Sequence, residues 1–216
     1  MDQHGTALKV DHVLLAVNDL AVAAAVLNER HGLASVEGGR HPQWGTANRI
    51  IPLNDTYLEL IAVVDPERAR ASAFGRWVAS ARPGIMRPLG WAVRAVVIEY
   101  VARRLDLAIE SGSRATPDGG VLQWRLAGVE RAAPDPALPF FIEWGGETPH
   151  PSQRPVTHSA GPVEFRRLEL RGNPDRLAAW LGDHDLPAVI KQGPSSITRI
   201  ILTVADRDIV LAPIHR

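Results

Sequence analysis

A strand–helix–strands pattern recurs three times along this chain, and a recurring unit of that kind decides the fold before any single motif does. Residues 8–17, LKVDHVLLAV, are a Leu-rich and β-branched run that predicts a strand. Asn18-Asp19 supplies N-cap chemistry, Leu20, Ala24, Leu27 and His31 recur at helical spacing, and Gly32 stops the helix. Beyond the loop VEGGRHPQWGT, the runs ANRIIPL and YLELIAVV are joined by Asn54, Asp55 and Thr56, which is a hairpin signal. The loop itself has room for one more short strand. Asp65-Pro66 restarts the chain as a helix with Phe74, Trp77 and Val78 on one face, ended by Pro83-Gly84.

The pattern then begins again. LGWAVRA (89–95) predicts a strand, and the following stretch puts Ile98, Val101, Leu105 and Ala108 or Ile109 on one helical stripe. VLQWRLAG and LPFFIEWG follow as strands around a Pro- and Ala-rich loop. After the polar linker TPHPSQRP a third copy begins with the strand VEFRRLEL. Its helix, NPDRLAAWLG, has an Asn cap, Pro at the first position and Gly at the end, and a hairpin ITRIILTV–ADR–DIVLAP closes it. The expected class is α+β, built of repeated βαβββ units. Units 8–64 and 88–146, joined by a linker helix at 65–82, make one domain over 8–148, and a βαβββ-like half-module occupies 160–214.

Composition narrows the chemistry such a scaffold can carry. The 216 residues include no cysteine, which excludes disulfides, thiolate metal sites, Fe–S clusters and cysteine nucleophiles. The 24 Lys and Arg balance 24 Asp and Glu, so there is no basic footprint for nucleic acid. No run reaches the roughly 18 apolar residues of a membrane span. The early charges of MDQHGTALKV do not make a signal peptide, so a cytoplasmic protein with a small-molecule ligand is expected. G-x-S-x-G, Walker A, G-x-G-x-x-G and H-E-x-x-H motifs are all absent.

Polar residues that interrupt apolar strands are then the informative positions. His12 lies in the first strand, and Glu59 interrupts YLELIAVV, facing the same side as Tyr57 and Ile61 by period-2 alternation. Glu143 interrupts LPFFIEWG in the second unit. His12 and Glu59 are 47 residues apart, and Trp91 and Glu143 are 52 apart, so the two pairs sit at comparable elements. A lone Glu in a strand ordinarily faces solvent, and a lone His is ordinarily a hydrogen-bonded core residue. Recurrence in two units argues otherwise. Buried carboxylates need a compensating cation, and one imidazole with two carboxylates suits a divalent ion.

Repeated βαβββ units with His on the first strand and Glu on the last resemble the vicinal oxygen chelate superfamily, which includes glyoxalase I, extradiol dioxygenases and bleomycin-resistance proteins. The strings DHVLLAVNDL, GGRHPQWGTANRIIPL and YLELIAVVD are similar to its glyoxalase-like domain branch. The resemblance implies an open, curled barrel with the site in its lumen. Carried over, it makes His12, Glu59 and Glu143 ligands of a divalent ion (Zn, Mn, Fe, Ni, Co or Mg). Glu143 is the implied proton shuttle, in lyase, isomerase or dioxygenase chemistry on an oxygenated metabolite. The fourth position falls on or beside Trp91, which cannot ligate. Either the ion has three protein ligands, or the metal is lost and aromatics, Trp44, Trp91, Trp124 and Trp144, line a binding or sequestering pocket.

In GGRHPQWGTAN, Gly38-Gly39 permits a tight turn, while His41, Trp44, Thr46 and Asn48 offer an imidazole, a flat apolar surface and two hydrogen-bonding groups. The loop either binds the ligand or plugs the barrel mouth. His150 reads as a surface residue between prolines, although it lies where it could close the same mouth. The third unit lacks such intruders and offers only Arg166 or Arg167 to a ligand, so it packs on its own barrel or pairs with a second copy in a homodimer.

Overall fold

The computed structural model describes residues 8–81, 86–115, 119–145 and 149–213. The first unit is β1 (Lys9–Ala16), α1 (Leu20–His31), β2 (Val36–His41), β3 (Thr46–Leu53) and β4 (Thr56–Val63). Two short helices follow, α2 (Pro66–Ala71) and α3 (Ala73–Ser80). The second unit is β5 (Arg87–Arg94), α4 (Ile98–Leu105), β6 (Ile109–Ala115), β7 (Val121–Ala127), a single turn α5 (Val129–Ala132) and β8 (Phe140–Gly145). The third is β9 (Val163–Gly172), α6 (Pro174–Leu181), β10 (Ala188–Gln192), β11 (Ser196–Val204) and β12 (Arg207–Leu211).

Eight strands form one curled sheet in the order β2-β3-β4-β1-β5-β8-β7-β6. Each unit contributes four neighbouring strands, and the units meet where β1 runs antiparallel to β5. Period-2 alternation divides the strands between two cores. Val13, Leu15, Leu58, Leu60, Trp91, Val93 and Phe141 face outward beneath the helices and the third unit, whereas Leu14, Ile61, Ala92, Phe140 and Ile142 face the lumen. The curl brings the edge strands β2 and β6 together. Side chains bridge that seam: Gln43 Nε2 donates to the Ser113 carbonyl at 3.2 Å, and Arg114 donates to the Gly38 carbonyl.

Local chemistry sets most boundaries as expected. Asp19 caps α1 by accepting from the amides of Ala21 and Val22, and Gly32 ends it in the left-handed region at φ 67°. The linker helix is two helices, because Ser72 caps a new start by accepting from Gly75 N. Pro83-Gly84 and the expected boundaries at 82, 146, 148 and 214 lie outside the described residues. A larger difference falls in the second unit. The helix stops at Asp106, itself left-handed at φ 53°, and Ile109 opens strand β6 rather than extending the helical stripe.

The third unit has the expected element order but its own pairing. Its four strands lie in the order β10-β9-β11-β12, so β9 is interior, parallel to β10 and antiparallel to β11. β1 and β5 instead lie beside the last strand of their own units. The unit is therefore not a third barrel half. It packs on its own barrel: Leu168, Leu170, Ile200 and Leu202 join the outer core, and Trp180 stacks on Phe141 with centroids 5.9 Å apart. Arg166 and Arg167 pair with Asp208 and Glu169 within that unit.

Candidate functional site

The lumen holds a cavity of about 30 Å³, or about 400 Å³ when the open solvent at its mouth is counted, with a polar floor and an aromatic wall. β1 presents His12, β3 presents Asn48, β4 presents Tyr57 and Glu59, and β8 presents Phe140, Ile142 and Trp144. Phe74 of α3 packs on Trp44 at 4.5 Å, so the linker helices wall one side of the cavity. His12 and Glu59 are brought together as expected. Both are nearly buried, at 3% and 6% exposure, and His12 Nε2 lies 3.4 Å from Glu59 Oε2. Asn48 Nδ2 donates to Glu59 Oε1 at 2.6 Å, and the His12 ring stacks on Tyr57 at 4.7 Å.

The other face of His12 rests on Asp11, where the β1–β5 register skips. This fully buried carboxylate accepts from His12 Nδ1 at 2.7 Å, Arg94 Nε at 2.8 Å and Trp144 Nε1 at 2.9 Å, and lies 3.0 Å from His150 Nε2. Burial alone would push its pKa up, but the hydrogen bonds and charges of His12 and His150 outweigh that and hold it far below the carboxylate range. An ionised carboxylate only accepts, so His12 Nδ1 carries a proton and Nε2 is the ring nitrogen turned to the lumen. His150 is thus a structural partner of the site, packed on Tyr57 and Trp144, rather than a surface residue.

His41 also borders the lumen. Burial, reinforced by the Arg114 charge, lowers its pKa to about 3, so the ring is neutral at physiological pH. Thr46 contributes by bonding His41 Nδ1 at 3.0 Å and does not itself line the cavity. Gly38 and Gly39 lie within β2 and form no turn. A side chain on Gly38 would sit 2.0 Å from Asn48 Oδ1, and one on Gly39 would sit 3.0 Å from Arg114 Nη1. The glycine pair makes room for two lumen side chains.

Two expected site residues are placed elsewhere. Glu143 points away from the lumen, accepts from Ile98 N at 2.8 Å to cap α4, and pairs with Arg125. Trp91 is fully buried in the outer core, where its Nε1 donates to the Ala137 carbonyl at 3.3 Å. The physical reason is register. His12 pairs with Tyr57 as Ala92 pairs with Phe140, so the counterparts of His12 and Glu59 are Ala92 and Ile142. A shift of one residue exchanges the faces of a strand.

That geometry decides whether a divalent ion fits. The second unit offers the methyl group of Ala92 and the sec-butyl side chain of Ile142 where two donors would be needed. Among the described residues no cluster of three His, Asp or Glu could hold a metal. His12 and Glu59 alone fall short of the three protein donors such sites ordinarily supply, and the Arg114 guanidinium beside the lumen repels a further cation. The donor set present does not fit the ion that the resemblance implied.

Arg114 itself was not legible from the sequence. It is 7% exposed, lines the lumen from β6, and burial lowers its pKa against the opposing influence of Glu59. The stretch ESGSRA carries little strand propensity, and the helical stripe ran over its start. The only signal was the weak alternation of Gly112 and Arg114 with Ser111, Ser113 and Ala115.

Paired βαβββ units curled around a common lumen define a barrel of the glyoxalase-like type. The glyoxalase-like domain family matches residues 10–186, and the chain belongs to that family. The crystal structure of a hypothetical protein from Staphylococcus aureus is similar at TM-score 0.70 and 16% identity, covering 93% of this chain and 92% of that one. Methylmalonyl-CoA epimerase from Mycobacterium tuberculosis is similar at TM-score 0.43 and 17% identity, over 62% of this chain and 85% of that one. The Streptomyces coelicolor epimerase in complex with 2-nitronate-propionyl-CoA gives 0.48 and 14%, over 67% and 100%. No curated protein matches. At 16% identity, the likeness to the Staphylococcus aureus structure shows the fold alone. No helix among the described residues is long and apolar enough to cross a membrane.

Proposed function

We propose that the barrel binds one small organic molecule in its lumen, and that His12 and Glu59 move a proton on it in an isomerase-type reaction beside a carbonyl. One observation carries this reading: two groups that can each hold a proton face each other at 3.4 Å in a buried, largely apolar cavity. Asp11 fixes the imidazole so that Nε2 is the reactive nitrogen, and Asn48 fixes the carboxylate so that Oε2 is the reactive oxygen. One of the pair takes a proton from carbon, the electron pair moves onto the carbonyl oxygen, and the other returns a proton. Water exclusion by Trp44, Phe74 and Trp144 strengthens each of these interactions.

A second reading, a metal-free binding or sequestering protein, is favoured by the run of aromatic contacts Phe74–Trp44–Trp124–Trp144, with centroids 4.5 to 5.8 Å apart. Deuterium exchange separates the two. Keto acids and their esters are incubated with the protein in D2O, and loss of the proton next to the carbonyl is followed by NMR. Acceleration over buffer that falls about a hundredfold or more in Glu59→Gln and His12→Asn supports proton transfer. No acceleration across the panel, or acceleration that survives both substitutions, leaves the binding reading.

A further inference from the structure

We infer that Arg114 is the anion-recognition group of the lumen, and that the ligand is a monocarboxylate carrying a flat apolar tail. Burying a guanidinium is costly unless something answers its charge. Arg114 is 7% exposed, yet among the described residues its one hydrogen bond is to the Gly38 carbonyl, and it makes no ion pair. The nearby lumen carboxylate, Glu59, is engaged with Asn48 and His12 instead. The guanidinium is always charged and has five donors in a planar fork, most of them left for a ligand. A carboxylate is the partner that fork matches with two parallel bonds.

The remaining lining specifies the tail. Trp44, Trp124 and Trp144 offer flat apolar surfaces, and Arg154, whose charge reaches Arg114, is not among the residues that line the lumen, so a single anionic group with an aromatic or otherwise flat body fits better than a dianion or a sugar. His41, held neutral next to Arg114, adds no second charge. The lumen thus has a cationic end on β6 and a proton-transferring end on β1 and β4. The inference rests on the lumen being the binding site, as proposed above, but not on the chemistry assigned to His12 and Glu59.

The test is calorimetric titration with acetate, phenylacetate and indole-3-acetate, each against its neutral amide. At least one carboxylate is expected to bind wild type roughly tenfold or more tightly than its amide, the scale of a charged hydrogen bond. Arg114→Gln should abolish that preference, and Arg114→Lys, which keeps the charge without the fork, should keep only part of it. Because Arg114 also bridges the β2–β6 seam, the lysine variant serves should the glutamine variant not fold. Equal binding of acids and amides across the series, binding by none of them, or an undiminished preference in either variant overturns the inference. Glu59→Gln should keep the preference while losing proton exchange. Loss of exchange activity alone therefore counts against the acid–base reading, and loss of preference alone against the anion site.

Discussion

The two halves of the barrel share strand order, pairing and helix placement, yet their lumen faces are unlike. β1 and β4 present His12, Tyr57 and Glu59, whereas the equivalent β5 and β8 positions are Ala92, Phe140 and Ile142. The outward faces are alike, with Val13, Leu58 and Leu60 on one half and Trp91, Val93 and Phe141 on the other. The outer face carries the burial that holds helices and third unit to the sheet, so it is constrained in both halves. The lumen face is free to differ wherever its acid–base groups find a partner. In the first half Asp11 and Asn48 supply those partners. In the second half the carboxylate lies on the other face, where Glu143 and Glu99 flank Arg125 near solvent.

The sharpest way to break the first half is to remove what holds it. Asp11→Ala removes the acceptor of the buried His12 Nδ1–H and of the Trp144 Nε1–H as well as the ion pair of the part-exposed Arg94, and should cost about 3–5 kcal/mol in urea unfolding. The same carboxylate sets an acid limit. It stays ionised in the folded chain below the 3.8 at which an unfolded Asp takes up its proton, so stability is full above that pH and falls as pH drops below it. A pH series of unfolding midpoints should lose most of that slope in Asp11→Asn.

Giving the second half the donors of the first is the next largest test. Ala92→His with Ile142→Glu would put four donors around the lumen. That double variant should gain about 3 kcal/mol at a hundredfold excess of zinc over its Kd, measured as unfolding free energy with and without metal, while wild type gains none. An effect of similar size belongs to His41. Its pKa, lowered to about 3 from 6.5, means that the unfolded chain protonates first, so stability should decline as pH falls from 6.5 toward 3. His41→Asn should flatten that window above pH 4, where Asp11 does not contribute. The smallest belongs to Glu143. Glu143→Gln weakens a half-exposed ion pair and a helix cap, so a loss of about 1 kcal/mol with unchanged carboxylate binding is expected.

Much of this was written in the sequence. Alternation in YLELIAVV put Glu59 with Tyr57, and the cap and stop residues of α1 and α6 gave helix limits, because those signals are local. What failed depends on pairing across the sheet. Whether Glu143 or Ile142 faces the lumen turns on the register of β8 against β5, which no single strand records. Strand β6 has too few apolar or β-branched residues to signal itself, and Arg114 went with it. Asp11 carries no local signal of its role, since its partners Arg94, Trp144 and His150 are 83 to 139 residues away.

Metal analysis tests the asymmetry of the two halves most directly. Wild type, His12→Ala and Glu59→Gln are stripped with chelator, offered Zn, Mn, Fe, Ni, Co and Mg in turn, desalted and assayed for metal per chain. The expected result is no stoichiometric uptake by any of the three and no metal-dependent change in unfolding midpoint. One tightly held ion per chain in wild type, lost in both variants, would contradict the conclusion that half a donor set and a neighbouring arginine leave this lumen without a divalent ion.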